Sequence, residues 1–266
     1  MSEEKGVETL LVAREGGVVT ITLNRPERKN ALTKAMVHEL RQLLEDVEGS
    51  DADRVLVLGG SGGDFCSGAD LADQDAPGTG DPAAALAWVR RLGDMVVALH
   101  RLSKPAIAKV DGVAVGAGLG LALGCDLVVA SDRARLSTIF SQRALSLDSG
   151  TSWLLPRLVG MARAKEIALF GDMVDADRAA AWGLVNRVVP PAELDPFVEG
   201  WARRLASGPA LALSTTKALL AGAWSVSLPQ AVEHEAQSQA VNLAGADAEE
   251  AMAAFVEKRQ PRYGAR

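Results

Sequence analysis

The sequence predicts an α/β fold that is followed by a helical C-terminal region. Short β-branched runs alternate with helical patterns of apolar residues over the first half of the 266-residue chain. The continuous apolar runs at Arg54–Leu58 and Ala106–Val110 are typical of strands that are buried on both faces of a parallel sheet. After Ser149 the patterns are almost entirely helical, and no linker of disordered composition separates the two parts.

Each element is predicted from local signals. A Glu-Gly-Gly turn joins the first two β-branched runs into a hairpin, and Thr33 is placed to cap the helix after it. The Asp-, Gly- and Pro-rich segment Asp73–Asp81 is expected to be mobile. In chain order we predict strands at Thr9–Ala13, Val18–Leu23, Arg54–Leu58, Ala106–Val110, Leu127–Ala130 and Leu184–Val188, and helices after Thr33 and at Pro82–Leu102, Gly116–Leu123, Ser152–Leu158, Ala162–Phe170, Ala176–Ala181, Glu193–Ala206, Pro209–Ala223 and Pro229–Glu257.

The composition argues against several classes of function. With 28 basic and 34 acidic residues, the net charge of −6 argues against a protein that binds nucleic acid over its whole surface. Two cysteines are too few for a disulfide framework, and the three histidines have no metal-ligand spacing, so we predict no metal site. The acidic start does not resemble a signal peptide, and the longest apolar stretch, Val113 to Cys125, is too short to cross a membrane. We therefore expect a cytoplasmic protein without a membrane span.

Two glycine-rich segments match catalytic motifs only in part. Gly59–Gly63 fits the G-x-S-x-G pattern of serine hydrolases, but a helix must follow that motif at once, and here Asp64 follows the last glycine. Gly116–Gly120 resembles a dinucleotide-binding loop, but the pattern fails at Leu121. A serine hydrolase and a nicotinamide enzyme are both disfavoured.

The most informative feature is a pair of segments, Phe65–Leu71 and Asp111–Gly118, which both follow strands. Small residues stand in each where a strand gives way to a helix, so a ligand can approach the backbone there. The free N–H groups at a helix start favour negative charge, and two such donors could converge on one developing oxyanion. The alternative is that these glycines only allow tight packing of helix on sheet.

At these residues the chain resembles the crotonase superfamily, the enoyl-CoA hydratase/isomerase family. The resemblance implies a crotonase-like spiral of ββα units, here residues 1–200, with a helical C-terminal trimerisation region, residues 201–266. It also implies an acyl-CoA thioester substrate and no separate cofactor, because coenzyme A is part of the substrate. It runs through Leu23–Pro26, Asn30–Leu32, Phe65–Leu71, Lys104-Pro105, Asp111–Asp126, Leu155–Gly160, Ala179–Val188 and Phe255–Arg259.

The resemblance also implies roles for individual residues. By position, the backbone N–H groups of Ser67 and Ala117 would bind the thioester oxygen. Lys258 would reach a CoA phosphate from the C-terminal helix of this subunit or of a neighbour. Phe140 would line the acyl part of the substrate site. The segments that line the CoA groove would contribute Arg28, Ala31, Ser67, Ala69, Asp70 and Leu71.

The departures from the family pattern decide which reaction we favour. Hydratases of the family carry one glutamate at the position of Gly120 and a second at the position of Phe140, and adding water needs two carboxyl groups. Asp148 matches the aspartate that moves protons in the family's double-bond isomerases, although Leu147 replaces the proline that often precedes it. Alternatively, Asp148 or Ser149 caps the helix that begins near Ser152.

The sequence therefore predicts an enoyl-CoA double-bond isomerase that uses an oxyanion hole and Asp148 as its single base. An apolar wall formed by Phe140, Leu145 and Leu147 would raise the pKa of that carboxyl. A hydratase that uses another carboxylate and a non-catalytic acyl-CoA-binding trimer remain alternatives. A monomer would leave partly exposed the apolar residues Val226, Leu228, Val232, Met252 and Phe255. Together with this exposure, the family resemblance implies a homotrimer or a dimer of trimers.

Overall fold

Two sheets and the helices that cover them make up residues 9–73 and 80–264, which are the residues that this computed structural model describes. The predicted mobile segment Asp73–Asp81 falls largely outside these residues. The strands are β1 (Leu10–Glu15), β2 (Val18–Leu23), β3 (Val55–Gly60), β4 (Ala106–Val110), β5 (Val113–Val115), β6 (Leu127–Ser131), β7 (Arg135–Ser137), β8 (Val174–Asp175) and β9 (Arg187–Val189). The helices are α1 (Lys34–Gly49), α2 (Pro82–Arg101), α3 (Ala117–Gly124), α4 (Thr151–Phe170), α5 (Ala176–Trp182), α6 (Pro191–Ala206), α7 (Ala210–Gly222), α8 (Leu228–Leu243) and α9 (Ala246–Glu257).

The larger sheet has six strands in the order β1-β2-β3-β4-β6-β9. The first two strands form the predicted antiparallel hairpin, and each later pair of neighbours is parallel. The smaller sheet has the order β5-β7-β8 and lies just beyond β4, since only two residues separate β4 from β5. These parallel strands direct the loops that follow them to one edge, where the predicted site segments begin.

The strands β3 and β4 are buried on both faces, as their continuous apolar sequences predict. On one face, Leu56 and its neighbours join a large core with α1, α2, α3 and α4. On the other face, Val57 and Ile107 pack against Leu194 and Val198 of α6. The larger sheet is thus a rigid layer between two helical layers.

The predicted cap at the start of α1 is confirmed. The Thr33 hydroxyl accepts a hydrogen bond from the Met36 N–H at 3.2 Å, which satisfies one donor of the first turn. The helix then buries Met36, Val37, Leu40 and Leu44 along one face. Asp81 caps α2 in the same manner, with Pro82 in its first turn.

Three features of the fold differ from the sequence predictions. The predicted strand Leu184–Val188 forms only at Arg187–Val189, and the single helix Pro229–Glu257 is interrupted at Gly245. By contrast, the predicted break between the helices on either side of Gly160 is confirmed, because the backbone of that glycine, within the range labelled α4, is not helical. The smaller sheet was not predicted, because strands of two or three residues are too short to show a period of two.

The C-terminal helices α7 and α8 bury no side chain completely, and α9 buries only Ala254. Large apolar side chains are exposed along them, among them Trp224, Leu228 and Phe255, the last with 85% of its surface accessible. Within the described residues, no helix combines the length and apolar character needed to cross a membrane.

Candidate active site

The two segments that the sequence singled out lie side by side. The Cys66 N–H donates to the Val113 carbonyl at 2.9 Å, and the Val115 N–H donates to the Cys66 carbonyl at 3.0 Å. Helix α3 begins directly after this pair and approaches Cys66 closely, because any side chain at Gly118 would collide with the Cys66 backbone. The glycine at this position therefore allows close packing, and that packing brings the start of α3 against the 66–70 loop.

Two backbone N–H groups remain unengaged at this junction. The Gly68 carbonyl and the Asp70 N–H both pair with Leu32, so the Ala69 N–H between them points the other way and has no acceptor among the described residues. The Ala117 N–H belongs to the first turn of α3 and has no acceptor there either. The loops are close, since a Cβ at Gly68 would lie 3.6 Å from the Ala117 nitrogen.

The structure does not agree with the predicted role of the Ser67 N–H. That group donates to the Lys29 carbonyl at 2.9 Å, and the Ser67 hydroxyl donates to the Arg28 carbonyl at 3.2 Å. Ser67 thus fixes the loop to the turn at Arg28 and Lys29, and its N–H is not available to a ligand. Ala69, two residues later, carries the unengaged donor instead.

Asn30 holds that turn in place, a role that sequence reasoning missed. Its side chain is fully buried and accepts from the Arg25 N–H at 2.9 Å. It also donates to the Ser61 carbonyl at 2.9 Å and to the Asp64 carbonyl at 2.7 Å. Asn30 and Lys29 both have positive φ, which asparagine tolerates better than most residues. In the sequence, the signal for this role was an asparagine that directly follows a short turn.

Asp70 is occupied by the protein itself. Its carboxylate pairs with the Arg25 guanidinium at 2.9 Å and accepts from the Ala72 N–H at 3.0 Å. Burial by itself would raise the pKa of Asp70, but these two donors and the nearby charge of Arg28 hold it below its usual range. Asp70 therefore orders the loop and offers little to a ligand.

The remaining residues predicted for the CoA groove are divided between surface and interior. Ala31 is buried, and its carbonyl accepts from the Arg25 side chain at 2.6 Å. Arg28 is exposed and makes no ion pair within the described ranges, while Leu71 is 79% exposed. Lys258 ends α9, which packs mainly on α8, so its side chain is not brought together with the others in this chain.

The Asp148 carboxyl is the unsatisfied acid of the site. Its Oδ1 atom is buried and has no hydrogen-bond partner among the described residues, and the Ser149 hydroxyl beside it is in the same state. Burial raises the pKa of Asp148 above its usual range, and the polar side chain of the neighbouring Ser149, which makes no hydrogen bond of standard geometry to it, offsets this only in part. Unpartnered buried oxygens are uncommon and call for a functional explanation.

The alternative role of Asp148 as a helix cap is not supported. Helix α4 begins at Thr151, its N-cap is Gly150, and no side chain caps it. It is the Asp148 main-chain carbonyl that accepts from the Thr151 N–H at 3.0 Å and from the Thr151 hydroxyl at 2.8 Å. The main chain is thus fixed while the carboxyl group is left without a structural partner.

Helix α3 links Asp148 to the unengaged N–H groups. A Cβ at Gly120 would lie 2.5 Å from the Ser149 carbonyl oxygen, so the 148–150 loop rests directly on this helix. Gly116 is one turn earlier on the same face, and a Cβ there would lie 3.8 Å from the Phe140 ring, which is buried. Phe140 and the loop therefore flank the helix whose first turn holds Ala117. Leu145, predicted for the same apolar wall, is exposed.

Cys66 does not act as a nucleophile in this arrangement. Burial raises the pKa of its thiol to about 12, although a hydrogen bond with the Gly68 backbone lowers it slightly. No group of three metal-ligating side chains occurs within the described part of the chain. The chemistry available at the site consists of two backbone donors and one buried carboxyl.

Free backbone donors at the start of α3, and a carboxyl on the loop that rests on the same helix, are the groups that an enzyme needs to stabilise an oxyanion and move a proton. The chain belongs to the enoyl-CoA hydratase/isomerase family, whose model matches residues 13–266. It is 38% identical to the 1,2-epoxyphenylacetyl-CoA isomerase of Escherichia coli (strain K12) over 97% of this chain and 98% of that protein. It is 39% identical to a Rhodobacter capsulatus protein named "Probable enoyl-CoA hydratase" over 94% and 95% of the two chains.

Solved structures agree with the fold. An enoyl-CoA hydratase from Mycobacterium smegmatis superimposes with a TM-score of 0.91 at 34% identity, covering 97% of this chain and 99% of that one. The predicted crotonase-like fold and family are therefore confirmed. Since relatives of similar identity carry the names of isomerases and of hydratases, the names by themselves do not separate the two reactions.

Proposed function

We propose that this protein is an enoyl-CoA double-bond isomerase that uses Asp148 as its only acid–base group. The observation that carries the proposal is the buried, unpartnered carboxyl oxygen of Asp148, on the loop whose next residue, Ser149, rests against helix α3. The residues at the two positions of the hydratase glutamates, Gly120 and Phe140, have no carboxyl group. One carboxyl is enough to carry a proton between two carbons, whereas holding and activating water calls for two.

The first step is the binding of the thioester oxygen by the backbone N–H groups of Ala69 and Ala117. Both donors are set by the fold before substrate arrives, Ala69 by the pairing of its neighbours with Leu32 and Ala117 by the start of α3. When negative charge develops on that oxygen, preorganised donors stabilise it without reorganisation. Each such donor is worth ~3 kcal/mol of barrier.

The second step is the transfer of a proton by Asp148. From a 3-enoyl-CoA, the carboxylate removes a proton from C2, and the electron pair of that bond forms a dienolate whose charge rests on the thioester oxygen. The protonated carboxyl then returns the proton to C4, which leaves the double bond between C2 and C3. No atom is gained or lost. A carboxyl whose pKa is raised by burial is suited both to accept and to return the proton.

The second candidate is an enoyl-CoA hydratase, because the Rhodobacter capsulatus relative carries that name. That reaction requires a second carboxylate outside the two family positions. A non-catalytic protein that binds acyl-CoA is the third candidate, and turnover distinguishes it from both enzymes.

The test supplies a 2-enoyl-CoA and a 3-enoyl-CoA in separate reactions and follows mass and ultraviolet absorbance. We expect the 3-enoyl thioester to gain the absorbance of a conjugated enoyl group without a change in mass. Rapid addition of the mass of one water to the 2-enoyl thioester would favour the hydratase. Absence of turnover, with CoA still bound, would favour the non-catalytic protein.

A further inference from the structure

Gly120 lies where helix α3 meets the loop that carries Asp148. It is fully buried, and a Cβ at this position would lie 2.5 Å from the Ser149 carbonyl oxygen and 2.6 Å from the Ser149 Cβ. Both distances are far inside van der Waals contact, and one of the atoms is main chain. Any residue other than glycine at position 120 therefore requires the loop or the helix to move.

The loop has little freedom to move locally. Ser149 and Gly150 both have positive φ, at 48° and 74°, so the chain turns sharply at the contact with Gly120. On one side the loop is held by the hydrogen bonds from Thr151 to the Asp148 carbonyl. On the other side it meets α2, since a Cβ at Gly150 would lie 3.5 Å from a methyl group of Val96. A displacement at Ser149 is thus transmitted to Asp148.

We propose that Gly120 is the positioning residue that sets the Asp148 carboxyl for proton transfer. This inference rests on the proposed isomerase function. A side chain at position 120 cannot coexist with the present position of the 148–150 loop, so any substitution there moves the loop or helix α3. Because Asp148 belongs to that loop, the position of its carboxyl depends on the absence of a side chain at position 120.

The first test compares Gly120→Ala with Gly93→Ala, measured on the full-length enzyme. Gly93 also lies inside a helix, but a Cβ there meets nothing within 4 Å, so it controls for the effect of alanine on a helix. We expect Gly120→Ala to lower kcat roughly 10- to 100-fold while KM and CoA affinity stay within about 3-fold, because a small displacement of a catalytic group acts mainly on the chemical step. Gly93→Ala should keep wild-type kinetics.

A second variant addresses the contact itself. Gly120→Ala combined with Ser149→Gly removes the Ser149 Cβ and relaxes the left-handed backbone, so it should recover part of the lost kcat. If Gly120→Ala does not fold, the same double variant should restore folding. A double variant that recovers neither property would overturn the part of the contact assigned to the Ser149 side chain, because the Ser149 carbonyl oxygen is the same in both variants.

A third variant, Gly120→Glu, has a larger side chain at the same contact and should lose at least as much isomerase turnover as Gly120→Ala. Wild-type kcat in either variant would overturn the inference while the isomerase proposal stands. Full activity in Asp148→Asn would instead overturn the isomerase proposal, whatever the result at position 120. The two failures are thus distinguishable.

Discussion

Lys217 of α7 lies 2.7 Å from the Asp126 carboxylate, which in turn accepts the Ala106 N–H at the start of β4 at 2.7 Å. Lys217 also donates to the Lys104 carbonyl at 3.0 Å. The lysine side chain is 9% exposed and the aspartate side chain 27%, so the lysine is largely shielded from water and the aspartate is partly solvated. This contact attaches the C-terminal helices to the larger sheet, although α7 buries no side chain completely.

We expect Lys217→Met to destabilise the protein by about 2–3 kcal/mol, somewhat less than the loss of a partner in a fully buried pair. Met keeps the length and apolar stem but leaves Asp126 without its cation. Urea unfolding gives the free energy, with Lys165→Met on the exposed face of α4 as the control. An unchanged midpoint for Lys217→Met would show that the pair is energetically neutral.

Asn30→Ala should destabilise the protein by about 2–4 kcal/mol, because three buried hydrogen bonds are lost together. Asn30→Gly loses the same bonds but tolerates the φ of 54°, so it should be less damaging than Asn30→Ala by about 1 kcal/mol. Thermal unfolding of both variants measures the difference. Equal losses would argue that the positive φ carries no strain.

The sequence was sufficient for the long elements of this fold and for the neighbourhood of the site. Apolar runs and caps such as Thr33 are local properties, and they predicted the larger sheet and most helices. The smaller sheet could not be predicted, because its strands are too short to show a period. The pattern of small residues located the 65–71 loop, and the family resemblance assigned its donor to Ser67. Which N–H is free there depends on the Lys29 carbonyl, whose position is set by Asn30.

The contact between Gly120 and Ser149 is a second feature of the site that could not be predicted from the sequence. A glycine inside an apolar helix can be interpreted from sequence as a packing residue or as a missing glutamate. Only the three-dimensional arrangement shows that a residue 29 positions later occupies the space of its absent side chain. Contacts between residues far apart in sequence leave no local signal.

The exposed apolar residues of the C-terminal helices indicate that the chain associates, and together with the family resemblance they lead us to expect an oligomer of three or six chains. Burial of residues such as Phe255 between subunits would remove a large apolar surface from water. Light scattering coupled to size exclusion measures the mass, and Phe255→Glu should reduce it. Val89→Glu, at an exposed site on α2, serves as the control. A monomeric mass for the wild type at micromolar concentration would contradict the expectation.

Lys258 is expected to contribute to CoA binding only if a neighbouring subunit supplies it, since α9 of the same chain packs on α8. Lys258→Ala should then weaken CoA binding up to about 5-fold at low salt, and the difference should shrink as salt rises. Titration calorimetry at two salt concentrations measures this, with Lys165→Ala for comparison. Equal CoA affinities of the wild type and Lys258→Ala at low salt would show that Lys258 does not contribute to CoA binding.

Asp148→Asn tests the proposed base. Asparagine keeps the shape of the side chain but cannot accept a proton, so turnover should fall by about 100-fold or more. CoA affinity should change little, because in the proposed mechanism the carboxyl acts on the acyl group and does not contact the nucleotide. Asp46→Asn, at an exposed position of α1, should remain fully active. Wild-type turnover in Asp148→Asn would show that Asp148 is not the catalytic base. The proposed role of the backbone N–H donors would be unaffected.

The raised pKa of Asp148 gives the same variant an effect on stability with a definite sign. A carboxyl whose pKa is higher in the folded protein than in the unfolded chain stabilises the fold in its protonated form, and that contribution is lost as the pH rises through the folded pKa. At neutral pH, above the usual aspartate pKa, that contribution is reduced in the wild type, whereas Asp148→Asn has no charged form that burial could penalise. The variant should be more stable than the wild type at pH 7, and this advantage should disappear as the pH falls below the usual aspartate pKa of about 3.9. Thermal unfolding over this pH range measures the difference. If Asp148→Asn is inactive and more stable than the wild type, Asp148 serves catalysis at the expense of stability. If the variant is inactive and less stable, Asp148 has a structural role.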